Sequence, residues 1–176
     1  MARRKQGLIP EGPITFLKLL SKAKVPFVVV GGAALALHGI PRSTLDIDIV
    51  LLAQGDIIVK LFSMTKKAML NCGQKDIMRL IDRPTLLIGQ SITFKDAMGN
   101  ELIDAFFEDT KSFKRLLKHA TKKRAGHFTL NIASLKDLEQ MKKKSRRPID
   151  LADIALIQER RHYLYNEGIN WRKVRR

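Results

Sequence analysis

The sequence predicts an α/β (α+β) fold: a mixed β-sheet flanked by helices, with a helical C-terminal part. Three observations predict it. Two short apolar runs, residues 27–30 and 45–52, are separated by Gly31-Gly32 and an Ala- and Leu-rich stretch of helical character. Residues 91–107 turn back through Ala97-Met98-Gly99-Asn100 in the manner of a β-hairpin. Apolar residues at helical spacing precede and follow these runs. With 176 residues, 45% of them hydrophobic, the chain can bury the core of one domain or of a domain with a helical extension.

In chain order, residues 1–11 are basic, carry Gly7 and Pro10, and read as a loose arm. Pro13 suits the first turn of a helix whose apolar face is Ile14, Phe16, Leu17, Leu19 and Leu20. Phe27-Val28-Val29-Val30 is a buried strand broken by Gly31-Gly32, and residues 33–38 form a short helix stopped by Gly39 and Pro41. The strand over residues 45–52 sends Leu45, Ile47 and Ile49 into the core. Asp56 is a candidate N-cap for a helix reaching about Leu70, and residues 74–81 suit a further short helix. After Pro84, Thr85-Leu86-Leu87-Ile88 leads through Gly89 into the hairpin. Ser112 to His119 is a short basic helix, Lys122, Lys123 and Arg124 a basic loop, and residues 128–132 a strand. Ser134 caps the next helix with Asp137 as a capping-box partner, and Pro148 opens the last one before a basic tail with Trp171. The division expected is an arm (1–11), a core (12–110) and a basic, mainly helical region packing on it (111–176).

Charge is distributed unevenly. Residues 111–176 hold 19 Lys and Arg against 6 Asp and Glu, +13, whereas residues 1–110 hold 14 against 11, +3. Such a surface favours a polyanionic partner, RNA or another nucleic acid, through counterion release; a merely solubilising basic face is the plainer reading. No apolar run is long enough to span a bilayer and the N-terminus lacks a signal-like apolar segment, so a cytoplasmic protein without membrane association is expected. Cys72 is the single cysteine, which excludes an internal disulfide and a Cys-rich zinc site.

The chemistry concentrates in residues 28–50. Asp46 and Asp48 are two apart in an apolar run, so their carboxylates share one strand face. Alone, the pair is better read as two solvated aspartates on an exposed strand face. Asp104 adds a third carboxylate inside another apolar strand, where a charge needs a partner or a function. Gly31 and Gly32 lie between strand and helix, where glycine lets a phosphate approach backbone N–H groups. Arg42, Ser43 and Thr44 supply a guanidinium and hydroxyls just before the aspartates. Three carboxylates beside a phosphate cradle suit Mg²⁺ or Mn²⁺ and two-metal phosphoryl transfer. His38 is placed for a structural hydrogen bond at a helix end.

Gly31-Gly32, then His38-Gly39, then Arg42-Ser43-Thr44-x-Asp46-Ile47-Asp48 resembles the signature of the DNA polymerase β-type nucleotidyltransferase superfamily. Within it, the small prokaryotic AbiE-type enzymes, which include toxins of toxin–antitoxin systems, are the most similar. Met141-Lys142 and Arg147-Pro148-x-Asp150-Leu151-Ala152-Asp153-Ile154 extend the resemblance, with Arg146 where a glycine is common and Ile149 where a lysine is frequent. The resemblance implies a polymerase β-like fold and transfer of a nucleoside monophosphate from an NTP to an acceptor hydroxyl. Asp46, Asp48 and Asp104 would hold Mg²⁺ or Mn²⁺, and Asp104 would help deprotonate the acceptor. Gly31, Gly32, Arg42, Ser43 or Thr44 and Lys142 would hold the triphosphate, though Lys142 also reads as one cation of a solvated run. Asp150 and Asp153 suit capping and anchoring of the last helix. Charge and resemblance together favour RNA, tRNA first, as acceptor, and an antitoxin protein as a possible partner chain. A small-molecule (antibiotic-type) or protein nucleotidyltransferase and a non-catalytic nucleic-acid-binding module are the alternatives.

Overall fold

The computed structural model describes residues 11–72 and 80–166. The arm apart from Glu11, most of the helix expected over 74–81, and the tail with Trp171 lie outside the described residues. Within them the order is α1 (Glu11–Lys22), β1 (Phe27–Val30), α2 (Gly31–Leu37), β2 (Ile47–Leu52), α3 (Gly55–Lys67), a 3-10 turn (Pro84–Leu87), β3 (Ser91–Lys95), β4 (Glu101–Glu108), α4 (Thr110–His119), β5 (Thr121–Ala125), β6 (Phe128–Ile132), α5 (Leu135–Ser145) and α6 (Pro148–Asn166). This is a mixed α/β fold on one six-stranded sheet in the order β3-β4-β2-β1-β6-β5. β1 runs antiparallel to β2, while β2–β4 and β1–β6 are parallel. Among the described residues no helix is long and apolar enough to cross a membrane.

Alternation along the central strands creates two unlike faces. Ile47, Ile49 and Leu51 of β2, Ile103, Ala105 and Phe107 of β4, and Ile92 and Phe94 of β3 are all buried. The Phe94 ring meets Phe16 of α1 and Phe62 of α3, with centroids 5.9 and 6.1 Å apart. The opposite face of the same strands carries Asp48, Val50, Asp104, Phe106 and Glu108, which open onto a cleft.

Several expectations are corrected. Leu45 is 79% exposed rather than core, because β2 starts at Ile47 and the residues before it form a bend. Asp56 lies in the first turn of α3, whose N-cap is Gln54 without a side-chain bond. Pro84–Leu87 is a 3-10 turn instead of an extended lead-in, with Pro84 at its start. Lys122, Lys123 and Arg124 are not a loop: they form the exposed edge strand β5, where charge blocks edge-to-edge pairing with another chain. α4 begins at Thr110, two residues earlier than the sequence suggests, because Asp109 caps it by accepting from the backbone N–H groups of Lys111 (2.7 Å) and Ser112 (3.0 Å). The Ser134 cap is present: its Oγ accepts from the Asp137 N–H at 3.1 Å and donates to the Asp137 carboxylate at 2.5 Å.

Candidate active site

Strand register builds the acidic centre. On the parallel pair β2–β4, Asp48 stands directly beside Asp104. Asp46 precedes β2 by one residue, and one carboxylate oxygen from each of Asp46, Asp48 and Asp104 falls within 4.8 Å of the others. Two threonines orient the set. Thr44 Oγ1 donates to the Asp46 carboxylate and, at 3.2 Å, to the Asp46 carbonyl. Thr93, paired with Asp104 across the β3–β4 hairpin, donates to Asp104 Oδ1 at 2.5 Å. Sequence reasoning does not single out Thr93: a register shift between Phe94 and Lys95 separates it from the hairpin turn, so counting back from the turn does not place it beside Asp104.

Gly31 has a different first duty from the one expected. Its φ is +63°, and a Cβ there would lie 1.7 Å from Asp48 Oδ2, so only glycine leaves space for that carboxylate. A Cβ on Gly32 would press on Thr44 Cβ at 3.2 Å. The Gly-Gly turn therefore seats Asp48 and packs on the threonine that aims Asp46.

Burial pushes the Asp48 carboxyl up to about 6, helped by the charges of Asp46 and Asp104 and opposed by Arg147 and Lys142. Three carboxylates held this close repel unless a proton or a cation intervenes. An all-oxygen donor set of this kind fits a hard divalent cation such as Mg²⁺ or Mn²⁺.

The cleft is about 460 Å³, and its far wall comes from α5 and the start of α6. Lys142 is buried, with Nζ 3.0 Å from Asp150 Oδ1 and 2.6 Å from Asp153 Oδ2. Arg147 bonds Asp150 through its side chain (3.1 Å) and its backbone N–H (3.1 Å), so Asp150 also caps α6. Burial alone would raise the Asp150 carboxyl, but hydrogen bonds from Arg147, Ser145 and Lys142 outweigh it and hold the group well below the usual carboxylate range. Arg42 Nε lies 3.2 Å from Asp153 Oδ1. Lys142 is thus neither free nor solvated; it is the middle of an Arg42–Asp153–Lys142–Asp150–Arg147 chain facing the acidic centre. Three cations against two carboxylates leave this wall with a net positive charge.

Of the residues expected to hold a nucleotide, Gly31, Gly32, Arg42, Thr44 and Lys142 line the cleft, together with all three aspartates. Ser43 does not: it is exposed, and its carbonyl accepts from Arg42 Nη1 at 2.8 Å. His38 makes the structural bond expected, its Nε2 donating to the Ala133 carbonyl at 2.8 Å. Burial holds its imidazole below the ordinary value, and Lys123 and Arg160 push the same way against that hydrogen bond.

No family model matches the chain, and no curated protein matches it. Among solved structures, the chain is similar to an antigenic nucleotidyltransferase-like protein from Paracoccidioides brasiliensis, at 16% sequence identity and a TM-score of 0.49, covering 83% of this chain and 74% of that one. The chemistry of the cleft therefore rests on this chain's own side chains.

Proposed function

We propose that the protein is a metal-dependent nucleotidyltransferase that moves a nucleoside monophosphate from an NTP to an acceptor hydroxyl and releases pyrophosphate. The observation that carries this reading is the meeting of Asp46, just before β2, with Asp48 and Asp104 on one sheet face, opposite a cationic wall. A bound Mg²⁺ or Mn²⁺ would neutralise phosphate oxygens and make the acceptor hydroxyl easier to ionise. Asp46, Asp48 and Asp104 would hold it. The Asp104 oxygen not engaged by Thr93 takes the proton as the acceptor oxygen attacks the α-phosphorus. The bond from that phosphorus to the β-phosphate oxygen breaks, and pyrophosphate leaves. Arg42, Lys142 and Arg147 supply positive charge on the wall where the leaving triphosphate portion lies, and the Gly31-Gly32 turn keeps side chains out of its way. Catalysis of this kind rests on positioning and preorganised charge. The +13 of residues 111–176 supports RNA, with tRNA first, as acceptor; the resemblance to AbiE-type enzymes supports a toxin role with a separate antitoxin.

The test is transfer of α-labelled NTPs, each in turn, with Mg²⁺ and either a tRNA pool, a total-protein pool or small aminoglycoside-like acceptors. Label in tRNA that vanishes in Asp104→Ala is the expected result. Label in protein or small molecules moves the acceptor class. No label in any pool, with Asp46→Ala and wild type alike, overturns the enzyme reading and leaves a nucleic-acid-binding module.

A further inference from the structure

From Thr110 to Lys136 the chain carries eight Lys and Arg and no Asp or Glu. Four of these cations, Lys111, Lys114, Arg115 and Lys118, fall at i, i+3, i+4 and i+7 of α4, so they form one stripe along the helix, and all four are exposed. The other side of α4 buries Phe113 and Leu116 as the helix packs against β1 and β2. Lys122, Lys123 and Arg124 follow at once on the exposed edge strand β5.

The fold gains nothing from this stripe. Like charges three and four residues apart repel on a helix, and Lys111 stands in the first turn, where the helix dipole disfavours a cation. Elsewhere in the basic half such charges are answered: Lys142, Lys143, Arg147 and Arg161 each meet a carboxylate. Among the described residues no ion pair reaches Lys111, Lys114, Arg115 or Lys118. The two flanking acids are committed, Asp109 to the cap of α4 and Asp137 to His119 and the Ser134 hydroxyl.

We propose that the α4 stripe, extended by β5, docks the phosphate backbone of base-paired RNA. The proposal rests on the RNA-acceptor reading and adds which surface holds the acceptor and which form of RNA it takes. Seven residues of helix from Lys111 to Lys118 span about 10 Å, and a nucleic-acid duplex carries roughly one charge per 1.7 Å of axis, so several phosphates lie along the stripe. Phe113 is the single Phe, Tyr or Trp among residues 110–127, and it is buried, so this surface offers unpaired bases no such ring to stack on. Inserting into an anionic membrane surface takes an apolar helix face, and that of α4 is spent on the core. α4 starts two residues after Glu108, which lines the acidic cleft, so the stripe begins beside the opening to the triad.

The experiment measures anisotropy of fluorescein-labelled unfractionated tRNA with the full chain over about 50 to 200 mM salt, for wild type, Lys114→Gln/Lys118→Gln and Lys66→Gln/Lys67→Gln. The last removes the same charge from the last turn of α3. The α4 variant should bind about tenfold more weakly, with the log–log salt slope flattened by about 2, and the α3 variant should match wild type. Relief of like-charge repulsion should leave the α4 variant melting at or above the wild-type temperature, which separates lost binding from lost folding. An unlabelled RNA duplex should displace the tRNA better than poly(U) at equal phosphate; equal displacement overturns the base-paired assignment. Wild-type affinity in the α4 variant, an equal loss in the α3 variant, or a wild type that binds anionic phospholipid vesicles and not tRNA at low salt overturns the proposal. In label transfer to tRNA the α4 variant should raise KM and keep kcat. If it labels tRNA at an unchanged KM, the surface fails and the transferase reading stands. If wild type binds tRNA through α4 but labels none, the transferase reading fails and the surface stands.

Discussion

Asp48→Asn should stabilise the metal-free protein, and by an amount that depends on pH. Asp48 carries its proton up to about pH 6 in the fold, against 3.8 ordinarily, because burial and then Asp46 and Asp104 disfavour its charge. Between those values the folded protein holds a proton that the unfolded chain has released. Stability therefore falls as pH rises from about 4 to about 6 and levels off above. At ~1.4 kcal/mol per pH unit the ionised carboxylate costs as much as ~3 kcal/mol above pH 6. The asparagine side chain has no such charge and leaves the Gly31 contact sterically similar. In the presence of a chelator, wild type and D48N should unfold alike near pH 4, and D48N should melt roughly 6–12 °C higher at pH 8, given 2–4 °C per kcal/mol for a chain of this size. Millimolar Mg²⁺ at pH 8 should raise the melting temperature of wild type and leave D48N nearly unmoved, while NTP turnover is lost in the variant. Equal melting temperatures at pH 8 under chelator, or a D48N that is the less stable of the two, would refute the cost that burial and the neighbouring carboxylates place on an ionised Asp48.

Three further variants probe the surroundings of the centre. Gly31→Ala places a methyl 1.7 Å from Asp48 Oδ2 at a φ of +63°, so it should cost more than the ~1–2 kcal/mol of the backbone alone; urea melts should show Gly31→Ala/Asp48→Ala recovering the carboxylate's share and not the backbone's. Thr93→Val removes the donor to Asp104 and should lower transfer or Mg²⁺ affinity about 10- to 100-fold with unchanged circular dichroism, whereas Thr93→Ser should retain most of it; a Val variant at wild-type rate excludes the positioning role. Lys142→Ala removes the cation shared by two buried carboxylates, each of which keeps one other partner (Arg147 for Asp150, Arg42 for Asp153), and should destabilise by about 1.5–3 kcal/mol in denaturant titration; a loss under about 0.5 kcal/mol would show the cation to be dispensable to the fold.

The acidic residues are legible because alternation is a strict rule along a strand: with residues 47–52 and 101–107 as strands, Asp48 and Asp104 have to point out of the core. Their meeting needs strand order and register, which a local pattern does not contain. Leu45 misleads because a run of apolar letters hides where pairing starts. Lys122–Arg124 misleads for the opposite reason, since three cations disfavour a strand in isolation yet suit an edge with one free side. Lys142 sits within Lys142-Lys143-Lys144, and composition makes all three look solvated; one turn of helix sends Lys142 inward to Asp150 and Asp153 while Lys143 and Lys144 stay exposed. The duty of Gly31 toward Asp48 is hidden because the sequence separates them by a helix and a turn, whereas β1 and β2 return Val30 to the level of Asp48.

The direct Asp48–Asp104 partnership on β2 and β4 also sets the timing of the protein's life. These residues belong to parallel strands joined by a long crossover, so the slowest kind of strand pairing must close before the two carboxylates meet. A nascent chain that has folded only its first helix, β1 and β2 has Asp46 and Asp48, two of the three carboxylates, and an unpaired β2 edge that awaits β4. A slip of one residue in that pairing would turn Asp104 into the apolar layer and Ile103 out of it. Competence to bind a divalent ion is thus a report on long-range closure, and metal-dependent protection in refolding would appear in the same kinetic phase as β2–β4 docking, after local helix formation is over.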